Sequence, residues 1–562
     1  MISKPRVGEF PLHMTKYIVV TGGVLSGLGK GITTSSIGTL LKARGFSVTA
    51  VKIDPYLNSD AGTMNPFEHG EVFVLQDGGE ADLDLGNYER FLDIPLGRDN
   101  NITTGKVYKT VIDRERRGDY LGKTVQIIPH ITNEIRDWIK RVAKKSGADV
   151  CLVEVGGTVG DIESAPFLEG IRQLTREVGH ENLFLIHTSL VPVVGAVGEQ
   201  KTKPTQHTVR DLKSIGLHPD MIVCRSAQPL APEIREKIAN FCDVPESGVV
   251  SAHDAKSIYE VPLILEAQGV PDTILRRLGL PRKEPDLDSW RDLVERLINP
   301  SHEVTVAFVG KYTDLSDSYL SINEALRHAG ASLDTRVRIS YIEGEALEAK
   351  DADAWRNLRE ADAILVGPGF GSRGTEGKIA AVQHAREAEV PFLGICLGFQ
   401  LAIVEYARNV AHLKDANSTE MDVNAAHPVI CVLPEQYEIQ ELGGTMRLGA
   451  YECVLNEGSL AHETYGKLVI SERHRHRYEM NPDYIERMTA KGMVFSGRMP
   501  DRPIMEVMEL PRHIHPYFVG GQFHPEFNSR PQKPGPLFVG LVQAALIAKG
   551  VLTGGPEPVA AA

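Results

Sequence analysis

Pro391-Phe392-Leu393-Gly394-Ile395-Cys396-Leu397-Gly398-Phe399-Gln400 runs from a short apolar stretch through a cysteine into what reads as a helix start. The apolar run is the pattern of a strand buried on both faces, which belongs in a parallel sheet. Gly394 and Gly398 flank Cys396 two residues on each side, and such glycines permit a sharp strand-to-helix turn that exposes the residue between them. A thiol at a helix N-terminus lies in a dipole field that favours thiolate, the nucleophilic form. A buried structural cysteine after a strand is the plain alternative, and the decapeptide alone does not decide between them.

Working outward, the apolar runs Val304–Val309, Val337–Ile342 and Ala363–Val366 alternate with helical patterns, so Cys396 sits in an α/β domain. Beyond it, Tyr517–Gly521 leads into Gln522-Phe523-His524-Pro525-Glu526. There His524 can act as general base and Glu526 can orient its imidazole. Gly-x-Cys-x-Gly-x-Gln together with a distal His-Pro-Glu resembles the class I glutamine amidotransferase family. The resemblance implies that Cys396 attacks the side-chain amide of glutamine. Gly369 in the loop Gly367-Pro368-Gly369-Phe370-Gly371 and the backbone amide of Leu397 then match the oxyanion region, although relatives often read Pro-Gly-Gly-Phe-Gly at that loop. Gln400 and Glu420 match positions holding the amino-acid end of glutamine. From Arg473-His474-Arg475-His476-Arg477 the cation for its carboxylate is expected to be Arg477. The plain alternative for this cluster is a solvated basic face.

The first half shows the same alternation. Tyr17–Val20 reads as a strand, Ile32–Arg44 as a helix closed near Gly45, and Phe46–Ile53, Val150–Val155, Leu183–Val191 and Met221–Cys224 as further strands. The expected fold class is α/β, with two doubly wound domains whose sheets are mainly parallel, the first P-loop-like. Pro281, Pro285 and Pro300 bracket a charged helical stretch, Asp286–Ile298, read as a linker. Between the first strand and the first helix lies Thr21-Gly22-Gly23-Val24-Leu25-Ser26-Gly27-Leu28-Gly29-Lys30-Gly31. Backbone N–H groups of such a loop cradle phosphates, and its lysine neutralises them. Val24 stands where the usual motif has its first glycine, and Gly31 where it has a magnesium-binding hydroxyl. Magnesium would therefore need carboxylates, for which Asp82, Asp84 and Glu154 are candidates. A flexible glycine-rich turn is the alternative.

The chain has 562 residues, 42% hydrophobic and 24% charged, with a formal net charge of -13. That length predicts two large domains or several smaller ones, and the acidic balance argues against a nucleic-acid binder. The six cysteines are scattered without metal-type spacing, which predicts a reducing, cytoplasmic setting. The segment Met1–His13 has no apolar core, so no secretory signal is expected, and no apolar run is long enough to span a membrane.

Further blocks converge on one family. They are Asp54-Pro55-Tyr56, His69 to Val74, Asp82-Leu83-Asp84-Leu85-Gly86, Glu115 to Gly122, Gly156 to Ser164 and Lys201-Thr202-Lys203-Pro204-Thr205-Gln206. With the phosphate loop and the glutaminase-like domain, they closely resemble the CTP synthase family from about Tyr17 to Ala548. The resemblance implies ATP-dependent amination of UTP through a 4-phosphoryl intermediate, with ammonia from glutamine. Gly27, Leu28, Gly29, Lys30, Gly31, Ile32 and Lys52 match the ATP site. Ser26, Asp161, Ile162, Glu163, Lys201, Thr202, Lys203, Pro204, Thr205, Gln206 and Lys237 match the UTP/CTP site. Asp84 and Glu154 match the Mg²⁺ ligands, and His69 a residue lining the ammonia passage. A homotetramer, feedback inhibition by CTP and activation by GTP are also implied. The implied domains are an N-terminal extension (1–14), a synthetase domain (15–280), a linker (281–302), a glutamine amidotransferase domain (303–549) and a flexible tail (550–562). For Lys201–Gln206 the alternative is a solvated helix start with Pro204 at its first position, but basic residues there oppose the helix dipole unless an anion binds. Two rivals remain at this point: an ATP-dependent glutamine amidotransferase with another acceptor, and a non-enzymatic scaffold with degenerate sites.

Overall fold

The computed structural model describes residues 15–65, 69–195, 198–311, 316–432 and 446–553. The expected N-terminal extension and residues 554–562 of the expected tail lie outside them. The chain divides into two compact units, one of residues 1–60 and 87–291, the other of residues 61–86 and 292–562.

The first unit is built on seven strands: β1 (Lys16–Gly22), β2 (Val48–Asp54), β3 (Asn101–Thr103), β4 (Val150–Val155), β5 (Leu183–Leu190), β6 (Met221–Ser226) and β7 (Val249–His253). All pair in parallel, in the order β7-β6-β5-β1-β4-β2-β3. Every residue of β2 and β4 is buried, the two-sided burial that their continuous apolar runs call for. The helices used below are α1 (Lys30–Lys42), α2 (Ala165–Val178) and α3 (Lys203–Ser214). The chain leaves β1 through α1 toward β2 on one side, while β5 lies on the other. This places the open crevice of the sheet at the carboxyl end of β1, where the glycine-rich loop begins.

The second unit carries β8 (His302–Gly310), β9 (Thr335–Glu343), β10 (Ala363–Val366), β11 (Phe392–Ile395), β12 (Arg447–Leu455), β13 (Val469–His476), β14 (Val494–Arg498), β15 (Met505–Glu509) and β16 (Phe518–Gly521). Their order is β9-β8-β10-β11-β16-β15-β14-β12-β13. From β9 to β16 the pairs are parallel; from β16 to β13 every pair is antiparallel. The mainly parallel expectation thus holds for one side of this sheet. The other side is joined by short connections such as that between β14 and β15, which only antiparallel neighbours allow. Helices α4 (Thr375–Glu387), α5 (Leu397–Asn409) and α6 (Pro536–Ala548) pack on it.

Residues 61–86 come from the first half of the chain yet belong to the second unit. Their short hairpin, Phe73–Val74 with Glu80–Ala81, is held by the Arg473 guanidinium, which donates to the Val74 carbonyl at 2.9 Å. Ala450 N–H donates to Gln76 O at 2.9 Å, and a side chain at Gly449 would stand 2.6 Å from Gly78 N. The helix expected between the prolines spans Asp288–Ile298, and Trp290 in it is buried and donates to Tyr259 O at 2.8 Å. Among the described residues no helix is long and apolar enough to cross a membrane.

Phe392 on β11 and Phe518 on β16 are fully buried and stack with centroids 4.5 Å apart. Phe392→Ala should destabilise the second unit by about 3–5 kcal/mol, read as a lower urea midpoint for loss of glutaminase activity.

Candidate active site

The turn after β11 is set by close approach. A Cβ on Gly398 would lie 2.1 Å from Val366 O, and one on Gly394 2.8 Å from the Gly398 carbonyl. The glycines are therefore there for contact between strand and helix, and Cys396 itself has a positive φ, with φ 52 and ψ −98. A non-glycine residue held there is strained, a feature that clusters at functional sites. Cys396 N–H donates to Gly521 O at 2.8 Å, and its sulfur lies 3.8 Å from Gln522 Nε2.

β16 is the parallel neighbour of β11, so the segment following it returns beside Cys396. His524 Nδ1 lies 2.7 Å from Glu526 Oε1, and the ring stacks on Phe527 with centroids 5.1 Å apart. Nδ1 is thus the protonated nitrogen toward the carboxylate, which leaves Nε2 for the substrate side. Burial works against charge on His524, but the Glu526 carboxylate and the Cys396 sulfur outweigh it and raise its pKa to about 10. The Cys396 sulfur acts on the ring both through its charge and as a hydrogen-bond partner. Such an arrangement can move a thiol proton and deliver it later to a leaving group.

These residues line a cavity of about 520 Å³ within the second unit, walled also by Gly369, Glu420 and Arg477, ample for an amino acid. Glu420 Oε1 accepts from Gly371 N–H at 2.6 Å; burial raises its pKa, partly offset by that bond and by Lys311 and Arg477. Lys311, not singled out from sequence, donates to the carbonyls of Phe370 and, at 2.8 Å, Gly371. Gln400 is buried behind the cavity, with Nε2 donating to Tyr478 O at 3.0 Å and Gln522 Oε1 at 3.2 Å. Leu397 opens α5. Lys378 on α4 is fully buried, its Nζ has no hydrogen-bond partner, and burial, with Lys311 adding to it, lowers its pKa to about 7. It too was missed, because nothing in its flanking sequence marks it.

The basic cluster is not a solvated face. Arg473 is buried against Val74, and Arg475 pairs with Glu80 at 2.8 Å and reaches Gly62 O at 3.2 Å. Strand alternation turns His474 and His476 to the other side, 2.8 Å apart and held neutral by burial and by Arg447. Glu80 and Gly62 carry no local signal in the sequence; only the fold brings them here.

In the first unit the loop after β1 keeps a tight shape. Val24 has φ 78, a region glycine adopts freely, so the backbone bends there despite the missing glycine. Gly27 and Gly29 are also left-handed, and Lys30, the first residue of α1, is buried with Nζ donating to Gly157 O at 3.0 Å. Gly31 and Ile32 continue the helix, Leu28 is buried and Ser26 exposed. Lys52 pairs with Glu154 at 2.8 Å, and the other oxygen of Glu154 accepts from Tyr88. Among the described residues no cluster of three metal-ligating side chains exists. Asp84 lies in the first turn of the helix Leu83–Leu92, after Asp82, whose side chain accepts from its N–H at 2.9 Å. Asp84 belongs to the second unit and Glu154 to the first; each is the kind of ligand Mg²⁺ takes, since that ion usually binds one or two carboxylates and completes its shell with phosphates and water.

Asp161, Ile162 and Glu163 are exposed ahead of α2, with Asp161 accepting from Thr158 N–H at 2.7 Å. Helix α3 starts at Lys203, so Pro204 is its second residue, one later than the sequence suggested. Lys201 pairs with Glu199 at 2.7 Å, Thr205 donates to Leu190 O at 3.0 Å, and Gln206 Nε2 donates to Thr202 Oγ1 at 3.0 Å. Lys203 and Lys237 are exposed, as is His69.

A parallel sheet ending in a cysteine elbow beside a histidine–glutamate pair, following a sheet with a phosphate-type loop, defines an ATP-dependent glutamine amidotransferase. The family model "CTP synthase N-terminus" matches residues 16–280, and "Glutamine amidotransferase class-I" matches residues 314–544. The CTP synthase of Methanocaldococcus jannaschii is 57% identical over 539 residues, covering 95% of this chain and 99% of that relative. That of Carboxydothermus hydrogenoformans is 58% identical, with 95% and 99% covered. A solved glutaminase domain of Trypanosoma brucei CTPS with bound acivicin is 35% identical, covering 45% of this chain and 97% of that one at a TM-score of 0.41. The chain belongs to the CTP synthase family. It is a glutamine-hydrolysing ligase, and the reaction is glutamine-dependent synthesis of CTP.

The raised pKa of His524 links pH to stability. Its contribution is complete below the ordinary value of 6.5 and is lost as pH rises toward about 10. Glu526→Gln should flatten the fall of the urea midpoint of the second unit across that window, and should cut glutaminase kcat by roughly 10²–10⁴-fold.

Proposed function

We propose that Cys396, His524 and Glu526 carry the glutaminase step. His524 Nε2 takes the Cys396 thiol proton while Glu526 holds the imidazolium. The thiolate attacks the side-chain amide carbon of glutamine, and the resulting oxyanion is met by the Leu397 N–H and the Gly369 loop. His524 returns its proton to the amide nitrogen, the C–N bond breaks, and ammonia leaves a glutamyl thioester. Water then hydrolyses the thioester to glutamate and restores the thiol. Arg477 pairs with the substrate carboxylate, Glu420 with its ammonium, and Gln400 supports that end. The observation that carries this reading is the 2.7 Å His524–Glu526 pair beside Cys396 in one cavity wall.

In the first unit, Gly27 to Ile32 and Lys52 hold ATP, with Lys30 and Lys52 balancing charge on the transferring phosphoryl group. That group goes from ATP to the 4-oxygen of UTP, ammonia adds at the ring carbon bearing that oxygen, and the carbon–oxygen bond breaks as phosphate leaves, giving CTP, ADP and phosphate. Ser26, Asp161–Glu163, Lys201–Gln206 and Lys237 hold UTP and, as inhibitor, CTP. Asp84 and Glu154 would hold Mg²⁺, which supplies charge neutralisation at the phosphates when bound. The family resemblance further supports a homotetramer activated by GTP. The free cysteines support a cytoplasmic setting.

Cys396→Ala should abolish CTP formation from glutamine and leave formation from added ammonium intact, because the thiol only supplies the nitrogen. Glutamine use by this variant, or no rescue by ammonium in a folded sample, would sink the assignment. Lys30→Ala should abolish synthesis from both nitrogen sources, assayed with ammonium at saturating ATP.

CTP and UTP share one triphosphate, so Lys203→Ala should raise the KM for UTP and weaken CTP inhibition together. One charge-assisted contact is worth about 1.5–3 kcal/mol, or roughly 10–150-fold. A UTP saturation series at several CTP concentrations reads both constants at once.

A further inference from the structure

β1 ends where the phosphate loop begins, and α3 begins inside the Lys201–Gln206 block. His187 on β5 joins the two. Its Nδ1 lies 3.0 Å from Thr21 Oγ1 at the end of β1, and its Nε2 3.1 Å from Thr208 Oγ1 on α3. Thr21 Oγ1 also donates to Ile186 O at 3.3 Å. A hydroxyl has one proton, so Thr21 accepts from Nδ1–H, and Nε2 accepts from the Thr208 hydroxyl. The ring is fully buried, and burial together with the Lys30 charge keeps it neutral, with a pKa of about 3. A proton-ordered chain thus runs from α3 through β5 to β1, in surroundings where each bond strengthens the next.

The same helix also touches the loop directly. A Cβ on Gly23 would stand 1.6 Å from Thr208 Oγ1, so α3 reaches this close only because residue 23 is glycine. On its other side the loop is held by Val159 N–H, which donates to Gly22 O at 2.8 Å, and by Lys30 on Gly157 O at 3.0 Å. A satisfied core histidine is the plain alternative. It leaves unexplained why a polar ring, costly to bury, replaces an apolar residue in this sheet, and why its side-chain partners are the start of the loop and the helix of the lysine block.

We infer that His187 is a positioning residue that locks the phosphate loop to α3, so that a nucleotide triphosphate at the start of α3 and ATP at the loop each raise affinity for the other. The inference rests on the proposed assignment of the Lys201–Gln206 block. An anion drawing on the first turn of α3 shifts Thr208, which cannot move without moving Gly23 or releasing His187. Coupling of this kind is reciprocal between the two ligands.

The test is ammonium-dependent CTP formation, with UTP saturation curves at a series of ATP concentrations, for the parent chain, Thr208→Val and His187→Asn. Thr208→Val keeps the shape and removes only the donor, so it guards against a folding failure of His187→Asn. In the parent the KM for UTP should fall by roughly threefold or more from low to saturating ATP, and in both variants the ratio should approach one. Glutaminase turnover should be unchanged in both. A parent KM independent of ATP overturns the inference. So does a variant that loses kcat while keeping the parent ratio, since that is the behaviour of a merely structural histidine. Lys203→Ala separates the two levels. If it leaves the KM for UTP unaltered, the block assignment fails and the inference falls with it. If it raises that KM while Thr208→Val and His187→Asn keep the parent ratio, the inference alone fails.

Discussion

Residue 398 has no room for a side chain, and the geometry of the second unit follows from that. With Gly398 pressed to within a Cβ distance of 2.1 Å from Val366 O, helix α5 lies directly on the ends of β10 and β11. The chain between β11 and α5 must then turn within one residue, which forces Cys396 to φ 52. β10 also launches the Gly367–Gly371 loop, so the strand that receives the helix sets the loop beside the sulfur. β11 pairs with β16 through Ile395 and Gly521, and that register brings His524 to the same edge. One close packing contact and one parallel register thus converge the thiol, the imidazole and the loop, and Glu526 and Lys311 then hold the ring and the loop in place.

The remaining charge around the cavity is sorted by the period of a strand. Alternation along β13 sends Arg473 and Arg475 toward the 61–86 hairpin, where they bond Val74 and Glu80. His474 and His476 turn to a buried face with Arg447. Arg447 in turn is paired with Glu506 and lies 3.5 Å from Glu479, whose pKa burial raises to about 8. Arg475 and Arg477, the latter beyond the end of the strand, both line the cavity. A segment from the first half of the chain is therefore part of the wall around the glutaminase site.

Much of this was legible. Apolar runs located five of the seven strands of the first sheet and the parallel side of the second, and the Gly-x-Cys-x-Gly spacing with the later His-x-Glu marked groups that the fold does bring together. What was not legible depended on contacts distant in sequence. Glu80 and Gly62 lie hundreds of residues from Arg475, and no periodicity announces a hairpin that packs elsewhere. The antiparallel half of the second sheet has strands whose alternation is broken by buried polar residues such as Glu506 and Glu509. Gly394 and Gly398 were read as turn residues, but their conformations are ordinary and their neighbours are what demand glycine. Val24 misled in the opposite sense, since a β-branched residue holds the left-handed bend that the motif would assign to glycine.

Buried ionisable groups recur in both units: Lys52 with Glu154, Arg447 with Glu506, and Lys378 with no hydrogen-bond partner. Buried ion pairs contribute little to stability, and apolar replacements of similar volume are often as stable or more so. A buried amine without a hydrogen bond is costlier still. Stability of the fold does not account for them, whereas their surroundings do. Fixed charge in a dry site acts on developing charge without first having to reorganise, and the same charge in water would be screened. The cores made by Phe392, Phe518 and their neighbours supply the stability that lets the chain hold these groups in place.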